Sequence, residues 1–81
     1  MTDDLKQRAH DLDVTVWVGK AGLDPVVEEL RDQLEGEELV KVKFLRSARG
    51  GTTTEELAEE LADRAGATLF RTRGHTGVFR R

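Results

Sequence analysis

The sequence predicts a small α/β domain of order α-β-α-β-α-β-β, built as a four-stranded mixed sheet packed with helices. Three observations predict it. Apolar residues recur at helical spacing within the three acid-rich stretches, and they alternate with polar ones in the first stretches between them. The last two β segments are joined by Gly74-His75, a pair suited to a tight hairpin.

Each element has its own signal. Leu5, Ala9 and Leu12 share a helical face and place a short helix after Thr2. Val14, Val16 and Val18 alternate with Thr15 and Trp17, so the valines face one side of a strand. Asp24-Pro25 starts a second helix, with Asp24 expected to cap and Pro25 suited to the first turn. Val26, Val27, Leu30 and Leu34 form its stripe, and Gly36 is expected to end it in a left-handed conformation. Val40, Val42 and Phe44 face inward from a second strand, with Lys41 and Lys43 on the opposite face. Thr53 and Glu56 make a capping box before the stripe Leu57, Ala58, Leu61, Ala62 and Ala65, which Gly66 closes. Strands over 67–73 and 76–80 complete the sheet. Parallel crossovers are expected where helices separate the strands, and Ser47–Thr52 is expected as a mobile loop.

At 81 residues the chain is one domain, 1–81, too small for a large active-site cavity. It has no cysteine, which excludes disulfides, thiolate metal sites and thiol nucleophiles. His10 and His75 are isolated, so no metal site is expected, and no cofactor either. Ser47 lacks a histidine base, and no carboxylate pair lies in the basic segments, so the expectation is not an enzyme. No apolar run approaches the ~20 residues of a membrane span. The acidic start, Met1-Thr2-Asp3-Asp4, does not resemble a signal peptide, which points to a cytoplasmic protein, expected as a monomer.

A net charge of −3 hides segregation. Residues 1–38 carry eleven acids and four bases, whereas 39–53 carry Lys41, Lys43, Arg46 and Arg49 with no acid. Residues 54–65 return to acid, and 66–81 carry Arg71, Arg73, Arg80 and Arg81 with none. Segregated charge creates a local field whatever the total. The basic blocks point to nucleic acid, with simple solvation of strands and loops as the plainer alternative.

Gly19-Lys20-Ala21-Gly22 lies between the first strand and the Pro25 helix. Such a Gly-x-x-Gly turn allows a phosphodiester chain to approach the backbone, as in KH-type RNA-binding domains, and Lys20 adds a cation. It lacks the features of a Walker loop. A second Gly-x-x-Gly, Gly74 to Gly77, reads as turn chemistry, with His75 within reach of a phosphate. Trp17, Phe44, Phe70 and Phe79 read as packing rather than a base-stacking platform.

Together these segments resemble a known family. Val18-Gly19-Lys20-Ala21-Gly22-Leu23, Glu38 to Phe44, Ala65-Gly66-Ala67 and Gly74-His75-Thr76 look like the CRM domain of YhbY-like RNA-binding proteins. The resemblance implies a fold similar to the C-terminal domain of translation initiation factor three. It also implies binding of structured RNA, with precursor large-subunit ribosomal RNA as target. Carried onto this chain, the family's RNA loop is Gly19, Lys20, Ala21 and Gly22, and its positive surface falls on Lys41 and Lys43. The charge pattern adds Arg46, Arg49, Arg71 and Arg73 as contact candidates. Two features depart from the family: the chain is acidic overall, and Phe79 precedes an Arg80 that stands where an aromatic is usual. A salty cytoplasm would account for the acidity. The alternative reading is a protein-interaction module that docks on a ribosomal or assembly protein through its acidic helices.

Overall fold

The computed structural model describes residues 2–81. The elements run α1 (Thr2–Asp11), β1 (Val14–Val18), α2 (Asp24–Gly36), β2 (Leu39–Phe44), a 3-10 turn (Arg46–Ala48), α3 (Thr54–Ala65), β3 (Thr68–Arg73) and β4 (Thr76–Arg80). The expected order is therefore the observed one.

The strands lie in the order β1-β2-β4-β3. β1 pairs parallel with β2, and β4 pairs antiparallel with both β2 and β3. β1, β2 and β3 thus run the same way, as the crossovers imply, but β3 does not pair with β2. The hairpin folds β4 back into the gap between them.

Alternation sends one set of side chains to each face. Val16, Val18, Val40, Val42, Phe44 and Phe79 are buried on the inner face, against Val26, Leu30 and Leu34 of α2 and Ala58, Leu61, Ala62 and Ala65 of α3. Each large side chain buried this way contributes on the order of 1.5–3 kcal/mol relative to exposure. α1 packs on the opposite face, where Ala9 is buried with Leu39 and Val78 and flanked by Leu5, Leu12 and Phe70. This second cluster is small, so α1 covers only part of the outer face. A two-pronged pair from Arg8 to Glu38, at 3.2 and 3.3 Å, ties it to the start of β2.

Several helix ends correct the sequence-based expectation. Asp24 is not the cap of α2: Leu23 holds that position with helical φ and ψ and no side-chain cap. Leu23 must enter the core, which starts the helix one residue early and leaves Asp24 inside its first turn. There the carboxylate suits the helix dipole and pairs with Arg64 of α3 instead. Gly36 is not left-handed either. It closes the last turn of α2, and Glu37 leaves in an extended conformation (φ −122°) toward β2, with its N–H on Gln33 O at 2.9 Å. α3 follows expectation at both ends: the Glu56 amide donates to Thr53 Oγ1 at 3.1 Å, and Gly66 is left-handed at φ 66°. The Glu56 carboxylate, however, accepts from Thr52 Oγ1 at 2.9 Å rather than closing the box on Thr53.

Candidate nucleic-acid interface

Three connections meet at one end of the sheet. β1 and β2 are parallel, so the turn after β1 and the segment after β2 leave from the same edge. The Leu45 amide donates to Val18 O at 2.9 Å, and the Phe44 amide to His75 O at 2.8 Å. The 19–22 turn, the 3-10 turn and the β3–β4 hairpin are therefore neighbours.

The 19–22 turn is anchored at both sides by buried residues, Val18 before it and Leu23 after it. The Gly22 amide donates to Gly19 O at 3.0 Å, while Lys20 and Ala21 keep negative φ and Gly22 takes φ 82°. This is the pattern of a β-turn with glycine in its last position. Lys20 and Ala21 are exposed. Among the described residues, the amides of Lys20, Ala21 and Leu23 have no backbone acceptor.

The two glycines have different reasons to be there. Gly22 is required by its positive φ. Gly19 is required by neither backbone nor packing: a Cβ there would meet Leu45 Cδ1 at 3.7 Å and Ser47 Oγ at 3.8 Å, ordinary contact distances. The second Gly-x-x-Gly divides as well. Gly74 (φ 58°) makes the hairpin turn, but Gly77 is a core residue: a Cβ there would lie 3.3 Å from Phe79 Cε2 and 3.4 Å from Phe44 Cε2.

Strand register places the four strand cations on the outer face. Trp17 lies opposite Lys43, Lys43 opposite Thr76, and Thr76 opposite Arg73. The next row back reads Lys41, Val78, Arg71. At about 4.8 Å between strands, the Trp17–Arg73 row spans roughly 14 Å. Lys43 and Arg73 are exposed; Lys41 and Arg71 are half-buried beside the C-terminal end of α1. Lys41 Nζ reaches His10 O at 3.4 Å, and the Arg73 guanidinium lies 3.0 Å from His10 Nδ1. Ala9, His10, Lys41, Arg71, Arg73, Thr76 and Val78 enclose a cleft of about 30 Å³.

The segment expected as a mobile loop is a hydrogen-bonded turn. The Ala48 amide donates to Leu45 O and the Thr52 amide to Arg49 O. Arg49 Nε donates to Phe44 O at 3.0 Å, so Arg49 partly serves the turn, whereas Arg46 is exposed.

Charge on the folded surface is sorted as sharply as in the chain. Among the described residues the arginines in ion pairs are Arg8, Arg31 and Arg64, each on a helix. Among the same residues, Lys20, Lys41, Lys43, Arg46, Arg49, Arg71 and Arg73 have no carboxylate within 4 Å. The exposed acids of α2 and α3 occupy the other side of the sheet. Among the same residues no cluster of three or more metal-ligating side chains occurs, and no helix is long and apolar enough to cross a membrane.

Trp17 is the clearest miss. It is 52% exposed, not packed, and among the described residues Leu45 is the other exposed large apolar side chain. The alternation of β1 already placed Trp17 opposite the valines. Its exposure depended on α1 covering only the far part of that face, which no local pattern reveals.

The fold and site define an α/β domain whose cations without carboxylate partners among the described residues gather on one sheet face and at the end of the sheet that carries one glycine turn, opposite two acidic helices. The chain belongs to the CRS1/YhbY (CRM) domain family, whose model matches residues 2–81. A curated relative from Methanocaldococcus jannaschii, named "Probable RNA-binding protein MJ0652", is 38% identical over 71 residues. That match takes in 88% of this chain but 53% of the relative, so the chain spans about half of that protein's length. A solved structure from Staphylococcus aureus, the "hypothetical protein SAV1595", described as "a putative RNA binding protein", superposes with a TM-score of 0.78 at 30% identity. It covers 98% of this chain and 81% of that one.

Proposed function

We propose that this chain is a non-catalytic RNA-binding domain that holds sugar-phosphate backbone in the Gly19–Gly22 turn and along the basic outer face. One observation carries the proposal: Lys20, Lys43, Arg46 and Arg73, none with a carboxylate partner among the described residues, share the sheet end and outer face with a turn in which the Lys20 and Ala21 amides lack backbone acceptors. Backbone amides and cations together suit a phosphodiester, whose oxygens accept from both. RNA-binding descriptions of the M. jannaschii and S. aureus proteins support RNA as the ligand. The target is structured ribosomal RNA during large-subunit assembly, bound by a cytoplasmic monomer.

The test is RNA binding across a salt series, native protein against Gly19→Asp/Lys20→Glu, with circular dichroism to confirm that both fold. Clear native binding that the double variant loses supports the turn as the site, and the salt slope counts the phosphates contacted. Equal binding by both removes the turn from the interface. Reversing Glu55, Glu56, Glu59 and Glu60 to lysine addresses the protein-docking alternative: RNA binding survives if the outer face is the site, and a protein contact through α3 does not.

A further inference from the structure

The two large apolar side chains exposed among the described residues are not scattered. Trp17 is in register with Lys43, and one step on toward the turn Gly19 stands beside Leu45. Trp17 shares the outer face with Lys43, and two residues on from it a Cβ at Gly19 would lie 3.7 Å from Leu45 Cδ1, so the Cβ-less Gly19 leaves the space between the two apolar side chains open. A polar, water-facing sheet has no folding reason to present an indole at 52% exposure. Lys43 on one side and Lys20 on the other supply positive charge at the edge of this apolar strip.

We propose that Trp17, supported by Leu45, is a base-stacking platform: the nucleotide following the phosphate held at Gly19–Gly22 lays its base on the indole. This rests on the RNA-binding proposal above and adds a base contact to a backbone clamp. The occupant is an unpaired base and not a protein side chain because of the surrounding charge. Lys20, Lys43 and Arg73 lack carboxylate partners among the described residues and favour a polyanion over the patch. Stacking on an aromatic is tolerant of base identity, since every base offers a π-face. The platform therefore selects unpaired nucleotides flanking a structure, not a sequence.

Trp17 is the sole tryptophan, so its emission reports directly on the site. The probes are a fluorescently labelled RNA hairpin with a short adenosine tail, the same hairpin with an abasic tail, and inorganic polyphosphate. Expected are quenching of Trp17 by the adenosine-tailed hairpin and none by polyphosphate. The abasic tail should bind about tenfold more weakly, and Trp17→Ala should lose about tenfold for the adenosine tail and nothing further for the abasic one. Trp17→Phe should recover most of the affinity. If the hairpin binds while Trp17 emission is unchanged and Trp17→Ala binds as tightly as native, the platform is refuted and the backbone clamp stands. Equal quenching by polyphosphate also refutes it. If no labelled RNA binds even at low salt, the RNA-binding proposal itself fails and takes the platform with it. Should Trp17→Ala fold poorly, quenching in the native protein and the abasic comparison decide alone.

Discussion

Placing alanine at each glycine of the 19–22 turn separates what the fold needs from what a ligand needs. At Gly22 a Cβ would meet nothing within 4 Å, yet φ is 82°. The cost is therefore conformational, about 1–2 kcal/mol for a left-handed alanine. In a domain of this size that lowers Tm by roughly 5–15 °C. At Gly19 φ is not positive and the new methyl would sit at van der Waals distance from Leu45 and Ser47. Gly19→Ala should then leave Tm unchanged or raise it by a few degrees, through lower entropy of the unfolded chain. RNA affinity should behave oppositely. If the turn holds a phosphodiester as proposed, a methyl at Gly19 would hinder its approach, and loss of one charge-assisted bond from a turn amide corresponds to about tenfold or more. Thermal melts by circular dichroism and RNA titrations at fixed salt, run on both variants, give the comparison. A Gly19→Ala protein that melts like native and binds RNA like native would refute the argument that the turn's open backbone serves the ligand.

Other outcomes follow from the same geometry. Gly77→Ala should destabilise by about 1–3 kcal/mol, because its methyl would press on Phe44 and Phe79 at 3.3–3.4 Å; urea unfolding measures this. Thr53→Ala removes the side-chain bond to the Glu56 amide and should cost about 1 kcal/mol, read as a Tm fall of several degrees without loss of RNA binding at low temperature. Lys43→Gln should flatten the log–log salt dependence of RNA binding by about 0.7 for a single-stranded contact, and Arg31→Gln, on α2 and paired with Glu28, should leave the slope unchanged.

Much of this protein is legible in its sequence, for identifiable reasons. Helical and strand periods report burial directly, so the element order and the inward sets Val16/Val18 and Val40/Val42/Phe44 follow from local pattern. Helix ends were less readable because tertiary demands compete with capping. Leu23 is drawn into the core and moves the start of α2, and the immediate entry into β2 replaces a left-handed stop at Gly36. Gly77 looks like turn chemistry until the fold places α3 against it, where Ala58 Cβ would lie 3.5 Å from an added methyl. The basic residues were recognisable as blocks, but their gathering depends on β4 lying between β2 and β3. That pairing puts Lys43, Thr76 and Arg73 in one row. Trp17 needed still more, namely how far α1 extends across the outer face.

The insertion of β4 also bears on how the chain can fold as it is made. The middle of the sheet is filled by the last of the four strands in chain order, and its Phe79 is among the largest fully buried side chains. Until that segment is available, β2 has only β1 as a partner and β3 has none. α2 and α3 then have half a surface to dock on. Closure of the sheet is thus governed by contacts distant in sequence, such as Val40 with Phe79. A growing chain therefore holds its helices on half a sheet until the fourth strand closes the gap.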